Sequence, residues 1–195
     1  MSRATEHPQN TRGADHGPKH SGRSVTGMEL PDVCAVYILR ERAGRDEVLL
    51  GYKRTGLGLG RVVGIGGKVE PGESVRDAAV REVHEETEVV ILAGDLEPVG
   101  VFDYLFPAQP AVSQRSHVFL CRRFAGEAAE TDEIVPAWFA VDDVPYERMW
   151  DDARRWLPGV LAGGRASATY TFGSDGATVV AVGPGQPAES AASCH

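Results

Sequence analysis

Glu82, Glu85 and Glu86 stand at i, i+3 and i+4, a spacing that places all three on one face of an α-helix. In water such like charges repel by about 0.2–0.5 kcal/mol per pair. A hard divalent cation with oxygen ligands reverses that sign. Mg²⁺ takes one or two carboxylates and leaves its other positions to water and phosphate oxygens. Gly66 and Gly67 precede the acidic stretch. Glycines let backbone approach a ligand closely, and the helix N-terminus they lead to favours anions. Segment 66–90 therefore predicts a device that holds Mg²⁺ against a polyphosphate. A solvated acidic face paired with Arg81 and Arg76 is the plainer alternative, but it explains neither the glycines nor the spacing.

The elements that must carry these residues follow from hydrophobic periodicity. VCAVYILR (33–40) and EVLLGYKR (47–54) are strand patterns joined by a hairpin-like loop with a glycine. TGLGLGRVVGIGGK is a glycine-punctuated loop with a short strand. Ser74 to Glu88 predicts the helix, with Val75, Ala79 and Val83 turned toward a sheet. EPVGVFDYLF (97–106), SHVFLCRRF (116–124) and IVPAWFAV read as further strands. YERMWDDARRWLPGVL (146–161) predicts a second helix ending at Pro158–Gly159 or shortly after. ATYTF and ATVVAV flank SDG, a hairpin signal. Strands between helices predict an α/β fold, an α/β/α sandwich with a mixed sheet.

Composition narrows the function classes. A net charge of −8 argues against a general nucleic-acid surface, which is normally basic. It leaves room for a nucleotide, whose phosphates bound metal and a few basic groups can offset. Cys34, Cys121 and Cys194 lack a zinc spacing, and the first two fall in apolar strand patterns. A reduced, cytoplasmic setting is the default expectation. No apolar run approaches the roughly 20 residues of a membrane-spanning helix. Residues 1–27 are polar and lack a signal-peptide core, so a disordered tail is expected there, followed by one domain over 28–183. A second disordered tail is expected over 184–195.

Segment 67–89 resembles the Nudix box, G-x5-E-x7-R-E-U-x-E-E-x-G-U with U a bulky aliphatic residue. Gly67, Glu73, Arg81, Glu82, Val83, Glu85, Glu86 and Val89 fill the defined positions in register, and Glu88 stands where the family has its last glycine. From Val48 to about Val180 the chain is similar to the Nudix subgroup that hydrolyses 8-oxo-dGTP. The strings VLLGYKR, GRVVGIGGK, ETDEIVPAWFAVDDVPYERMW and WLP carry that likeness. The resemblance implies the Nudix α/β/α sandwich, attack at the β-phosphorus of a purine nucleoside triphosphate, and release of monophosphate and pyrophosphate.

The chemistry needs charge neutralisation, a positioned water and an oriented leaving group. Glu82, Glu85 and Glu86 are the candidate Mg²⁺ ligands, with Mn²⁺ able to substitute. The Gly66 carbonyl and Glu133 join them by resemblance. Either Glu86 or Glu133 orients the water, directly or through a metal. Arg81 is expected to brace the glutamates, and Lys53 and Lys68 to contact phosphate beside Gly66 and Gly67. Trp150 offers a flat surface for a purine, and Asp151 or Asp152 can hydrogen-bond its edge. Ungapped alignment puts Asp152 on the first acidic position of the subgroup and Ala153 on the second; a shift of one residue uses Asp151 and Asp152. Val62–Val63 replaces a Trp-Asn pair whose asparagine contacts the base in the subgroup. A monomeric enzyme acting on a nucleotide, without nucleic-acid or membrane partners, is expected. A non-catalytic nucleotide sensor is the alternative, along with pyrophosphatases acting on ADP-ribose or dinucleoside polyphosphates.

Overall fold

A computed structural model describes residues 29–185. The tail expected over 1–27 lies outside the described residues, as does the one over 184–195 apart from Pro184 and Gly185. Strand β1 (Asp32–Arg42) turns through Ala43 and Gly44 into β2 (Arg45–Lys53). Both turn residues have positive φ, 53° and 76°, the twist that suits a two-residue hairpin. The remaining strands are β3 (Val62–Val63), β4 (Leu96–Leu105), β5 (Gln114–Cys121), β6 (Ile134–Ala140), β7 (Ala166–Phe172) and β8 (Val179–Pro184). They form one mixed sheet in the order β3-β2-β1-β5-β4-β7-β8, with β6 also on β2. The β1–β5 and β4–β7 pairs are parallel and the others antiparallel.

Alternation along β1 sorts its side chains between two cores. Val36 and Ile38 join Leu49, Ile65, Phe119 and Ile134 beneath helix α1 (Val75–Thr87), which contributes Ala78, Ala79 and Val83. Tyr37 and Leu39 join Val48, Leu50 and Phe102 beneath helix α2 (Ala153–Leu161), which contributes Trp156, Leu157, Val160 and Leu161. Burying a side chain of this kind stabilises the fold by about 1.5–3 kcal/mol. Helix, sheet and helix therefore stack as the α/β/α sandwich that the periodicity predicts. Cys34 and Cys121 are buried free thiols in the α1 core, as their strand patterns imply. Among the described residues no helix is long and apolar enough to cross a membrane.

Three local features position the chemistry. Beyond Leu49, β2 parts from β1, and segment 62–68 fills the fork. It pairs with Gly51 and Tyr52 on one side and with Val36 and Val33 of β1 on the other. Helix α1 starts at Ser74, whose hydroxyl accepts from the Asp77 N–H at 3.1 Å. It ends at Glu88, which takes the left-handed φ of 61° and donates its N–H to the His84 carbonyl at 2.8 Å. That is the conformation glycine adopts without strain, so Glu88 carries a cost of about 1–2 kcal/mol.

The second helix is shorter than the sequence predicts. Tyr146–Arg148 is a 3₁₀ turn, Met149 is extended, and the α-helix begins only at Ala153. The Met149 carbonyl accepts from Arg61 at 3.0 Å, and Trp150 packs edge-on against Phe106 and Phe172. Those contacts outweigh helical continuity. Trp150 thus stands before the helix, not on its apolar face. Pro158 lies inside α2, which runs on to Leu161.

Candidate active site

Gly66 and Gly67 cross β1 at close range. A Cβ on Gly66 would lie 2.3 Å from the Cys34 carbonyl oxygen, and one on Gly67 would lie 2.5 Å from a Glu82 carboxylate oxygen. A side chain at Gly66 would collide with the β1 backbone, and one at Gly67 would displace the Glu82 carboxylate, so the glycines let this segment lie close to both the strand and the acidic face of α1. Glu86 is 2% exposed. One of its oxygens accepts from the Gly66 N–H at 3.0 Å, and the other meets the Lys53 ammonium at 2.5 Å. Lys53 also lies 3.5 Å from Glu133, which is largely exposed. The Thr131 hydroxyl donates to the Glu86 carbonyl at 3.2 Å and ties this loop to the end of α1.

Arg81 braces the acidic face, as expected. Its guanidinium meets Glu73 at 2.6 Å and both Glu82 and Glu85 at 2.9 Å, and it donates to the Lys68 carbonyl at 3.0 Å. Burial raises the Glu82 pKa, the Arg81 contact opposes this, and the charges of Glu86 and Glu85 add to the rise. Burial opposes the charged form of Lys53, but bonds to Glu86 and Glu133 outweigh it and its pKa is raised. Lys68 is exposed. The structure thus gathers Lys53, Gly66, Gly67, Glu82, Glu85, Glu86 and Glu133 around one end of α1, with the Lys68 backbone bonded in.

These donors fit a hard divalent cation. They are carboxylates with a backbone segment stripped of side chains, and Glu86 and Glu133 already share a cation in the Lys53 ammonium. Among the described residues no three His, Cys, Asp or Glu side chains converge on one point. Arg81 and Lys53 draw the glutamates to themselves instead.

Trp150, Asp151 and Asp152 lie on the other face of the sheet, with the α2 core. Loop 54–61 links the two regions. It leaves Lys53, runs past Trp150 at Gly58, and ends at Arg61, whose guanidinium sits 4.3 Å from the Trp150 ring centroid. Asp152 is 2% exposed. Its Oδ2 accepts from the Trp156 indole at 2.8 Å and the Tyr104 hydroxyl at 3.0 Å, while Oδ1 is buried with no partner. Burial raises its pKa against the lowering effect of those two donors. Asp151 points elsewhere: it accepts from the Val179 N–H at 3.1 Å and faces Arg154 and Arg155. Trp138 packs against Phe124 and Arg40, away from Trp150.

Sequence reasoning passed over Arg61, Tyr104 and Thr131. Phe102, Tyr104 and Phe106 recur at every second residue of one strand pattern, a signal that could have marked an aromatic wall. Nothing local marks the Thr131 contact, which joins residues 45 apart.

The NUDIX domain model matches residues 28–160. An oxidized purine nucleoside triphosphate hydrolase of Danio rerio is 36% identical over 125 residues, covering 64% of this chain and 78% of the relative. A Mus musculus protein of the same name is 37% identical over 114 residues, covering 58% and 71%. Among solved structures, a MutT protein from Bacillus halodurans shares the fold with a TM-score of 0.64 at 24% identity, over 78% of this chain and 96% of that one. Enzymes of this family generally use divalent metal ions to hydrolyse nucleotide substrates. With its box placed on α1 against Gly66–Gly67, and with matches that span most of the described fold, the chain belongs to the Nudix hydrolase family.

Proposed function

We propose that this chain is a Mg²⁺-dependent diphosphatase of oxidised purine nucleoside triphosphates such as 8-oxo-dGTP, releasing the monophosphate and pyrophosphate. The observation that carries the reading is the presence, on one chain, of the whole glutamate face and of a buried acid with a free oxygen beside Trp150. The names of the Danio rerio and Mus musculus relatives support the same substrate class.

Glu82, Glu85, Glu86 and the Gly66 carbonyl are the groups that would hold the metal, with Glu133 as a further ligand. When bound, the metal neutralises phosphate charge and polarises the phosphorus that is attacked. Glu133, the more accessible carboxylate, is the better placed to orient the water, while buried Glu86 holds the Gly66 backbone in place. Lys53 and Lys68 supply positive charge to phosphate oxygens. Trp150 presents its ring to the base, and Asp152 reads the base edge in preference to Asp151, whose carboxylate is engaged with β8. Val62–Val63 offers no amide to the base, so preference for 8-oxo-dGTP over dGTP is weaker than in the subgroup. The enzyme is taken to work as a cytoplasmic monomer that serves to clean the nucleotide pool.

Turnover with Mg²⁺ across 8-oxo-dGTP, 2-hydroxy-dATP, O6-methyl-dGTP, dGTP, ADP-ribose and diadenosine polyphosphate tests the proposal. Oxidised purine triphosphates should give the highest kcat/KM. A preference for ADP-ribose or the dinucleotide would replace this substrate assignment, and no turnover at all would favour a sensor.

A further inference from the structure

Trp150 lies outside every helix and strand, so no regular element fixes the direction of its ring. Its neighbours must do so. Phe106 and Phe172 stack on each other at 4.5 Å, and the indole stands at 70° and 72° to them. Those contacts are apolar. The polar contact comes from Arg61, whose guanidinium carbon lies over the ring at 4.3 Å from its centroid. Among the described residues no other cation sits on this indole. The same guanidinium donates through Nη1 to the Met149 carbonyl at 3.0 Å. A planar fork can serve backbone and ring together, which a lysine ammonium cannot do.

Arg61 is itself anchored. Its carbonyl accepts from the Lys53 N–H at 2.9 Å, its N–H donates to the Gly58 carbonyl at 2.9 Å, and the Gly60 N–H donates to the Lys53 carbonyl at 2.8 Å. Strand β3 begins at the next residue. Gly58 lets the loop graze the indole: its φ is +89°, and a Cβ there would lie 3.4 Å from Trp150 Nε1. The two groups that the guanidinium meets, a carbonyl oxygen and an aromatic ring, leave its charge uncancelled, and such a charge is attracted to the ring face.

We infer that Arg61 is a positioning residue for substrate: it fixes the tilt of Trp150, so that the indole meets a purine already oriented. The inference rests on the proposed placement of the base at Trp150. Arg61 acts through the indole and not on the nucleotide. An indole that must first be ordered gives up part of the affinity its stack supplies. The stack is the same before and during cleavage of the phosphoanhydride, so losing its orientation weakens binding and raises KM without lowering kcat. A tie that merely holds loop 54–61 in place predicts something else, a change in KM that is the same whether or not Trp150 is present.

Steady-state turnover of 8-oxo-dGTP with Mg²⁺ by the wild type, Arg61→Met, Trp150→Ala and the double variant separates the two, with Tm measured for each. Arg61→Met should raise KM by about tenfold, within the span of a lost base–aromatic stack. Its kcat should stay within about twofold of the wild type. In the Trp150→Ala background the same change should move KM by less than about twofold, because nothing is left to position. Arg61→Lys keeps a cation without the fork and should recover part of the lost affinity. It carries the same cycle if Arg61→Met does not fold. In ¹H–¹⁵N spectra the Trp150 indole signal, assigned from Trp150→Ala, should shift in Arg61→Met while that of Trp156 stays. An unchanged KM in Arg61→Met, or an equal rise with and without Trp150, overturns the inference; a raised KM in Trp150→Ala then leaves the base placement standing. An unchanged KM in Trp150→Ala overturns both, and absence of turnover by the wild type removes the proposed substrate along with them.

Discussion

Lys53→Met removes the cation that the free chain keeps beside Glu86 and leaves a methionine of similar length. The Glu86 side chain is 3% exposed and that of Lys53 15%, so the remaining carboxylate is poorly reached by water. Breaking a buried ion pair by removing one partner costs about 3–5 kcal/mol. The Gly66 N–H bond survives the change, which places the expected loss at the lower end, about 3 kcal/mol. For a domain of this size that lowers Tm by roughly 6–12 °C. The pH dependence has a definite sign. The Lys53 pKa is raised in the fold, so its contribution is fully present below the unfolded value near 10.4 and is lost only as pH climbs through the higher folded value. The gap between wild type and variant should therefore not narrow between about pH 7 and 9 on the lysine's account. Thermal melts in EDTA measure it. Melts in saturating Mg²⁺ should close part of the gap, because a bound cation replaces the missing charge and so stabilises the variant more than the wild type. A variant that melts with the wild type in EDTA, or one that gains no more from Mg²⁺, would refute both the pair and its place at the metal site.

Further outcomes can be measured on the same protein. Glu85→Gln and Glu86→Gln should each lower kcat by roughly 10²-fold or more; the exposed Glu85 change should leave Tm unaltered, and full turnover by the double variant would remove the glutamates from the site. EDTA should abolish activity, with Mg²⁺ or Mn²⁺ restoring it. Glu88→Gly relieves the left-handed residue at the end of α1 and should raise stability by about 1 kcal/mol, seen as a higher urea midpoint at unchanged m; a lower midpoint would mean that Glu88 makes a compensating contact. Burial pushes the Cys34 thiol up to about 11, so it should react with a disulfide reagent at pH 8 far more slowly than in the urea-unfolded chain. Equal rates would show that the α1 core opens readily. A chain beginning at Met28, where the family match starts, should keep the Tm and kcat of the full chain, and loss of either would assign residues 1–27 a part in the site.

Local spacing accounts for what the sequence by itself determined. The ends of α1 followed from Ser74 and from the glycine position that Glu88 fills, because capping and helix termination depend on residues within a turn of each other. The shared face of Glu82, Glu85 and Glu86 followed from the helix period. Other features waited for the fold. The pairing of Lys53 with Glu86, 33 residues on, is one. Asp151 and Asp152 are neighbours in the chain, yet Asp152 bonds Tyr104, 48 residues before it, while Asp151 accepts from the Val179 N–H. Trp150 left the helix because Arg61, Phe106 and Phe172 hold it and its neighbour outside. Partners that far apart in the chain meet only through packing, and no periodicity in a single sequence encodes which of them meet.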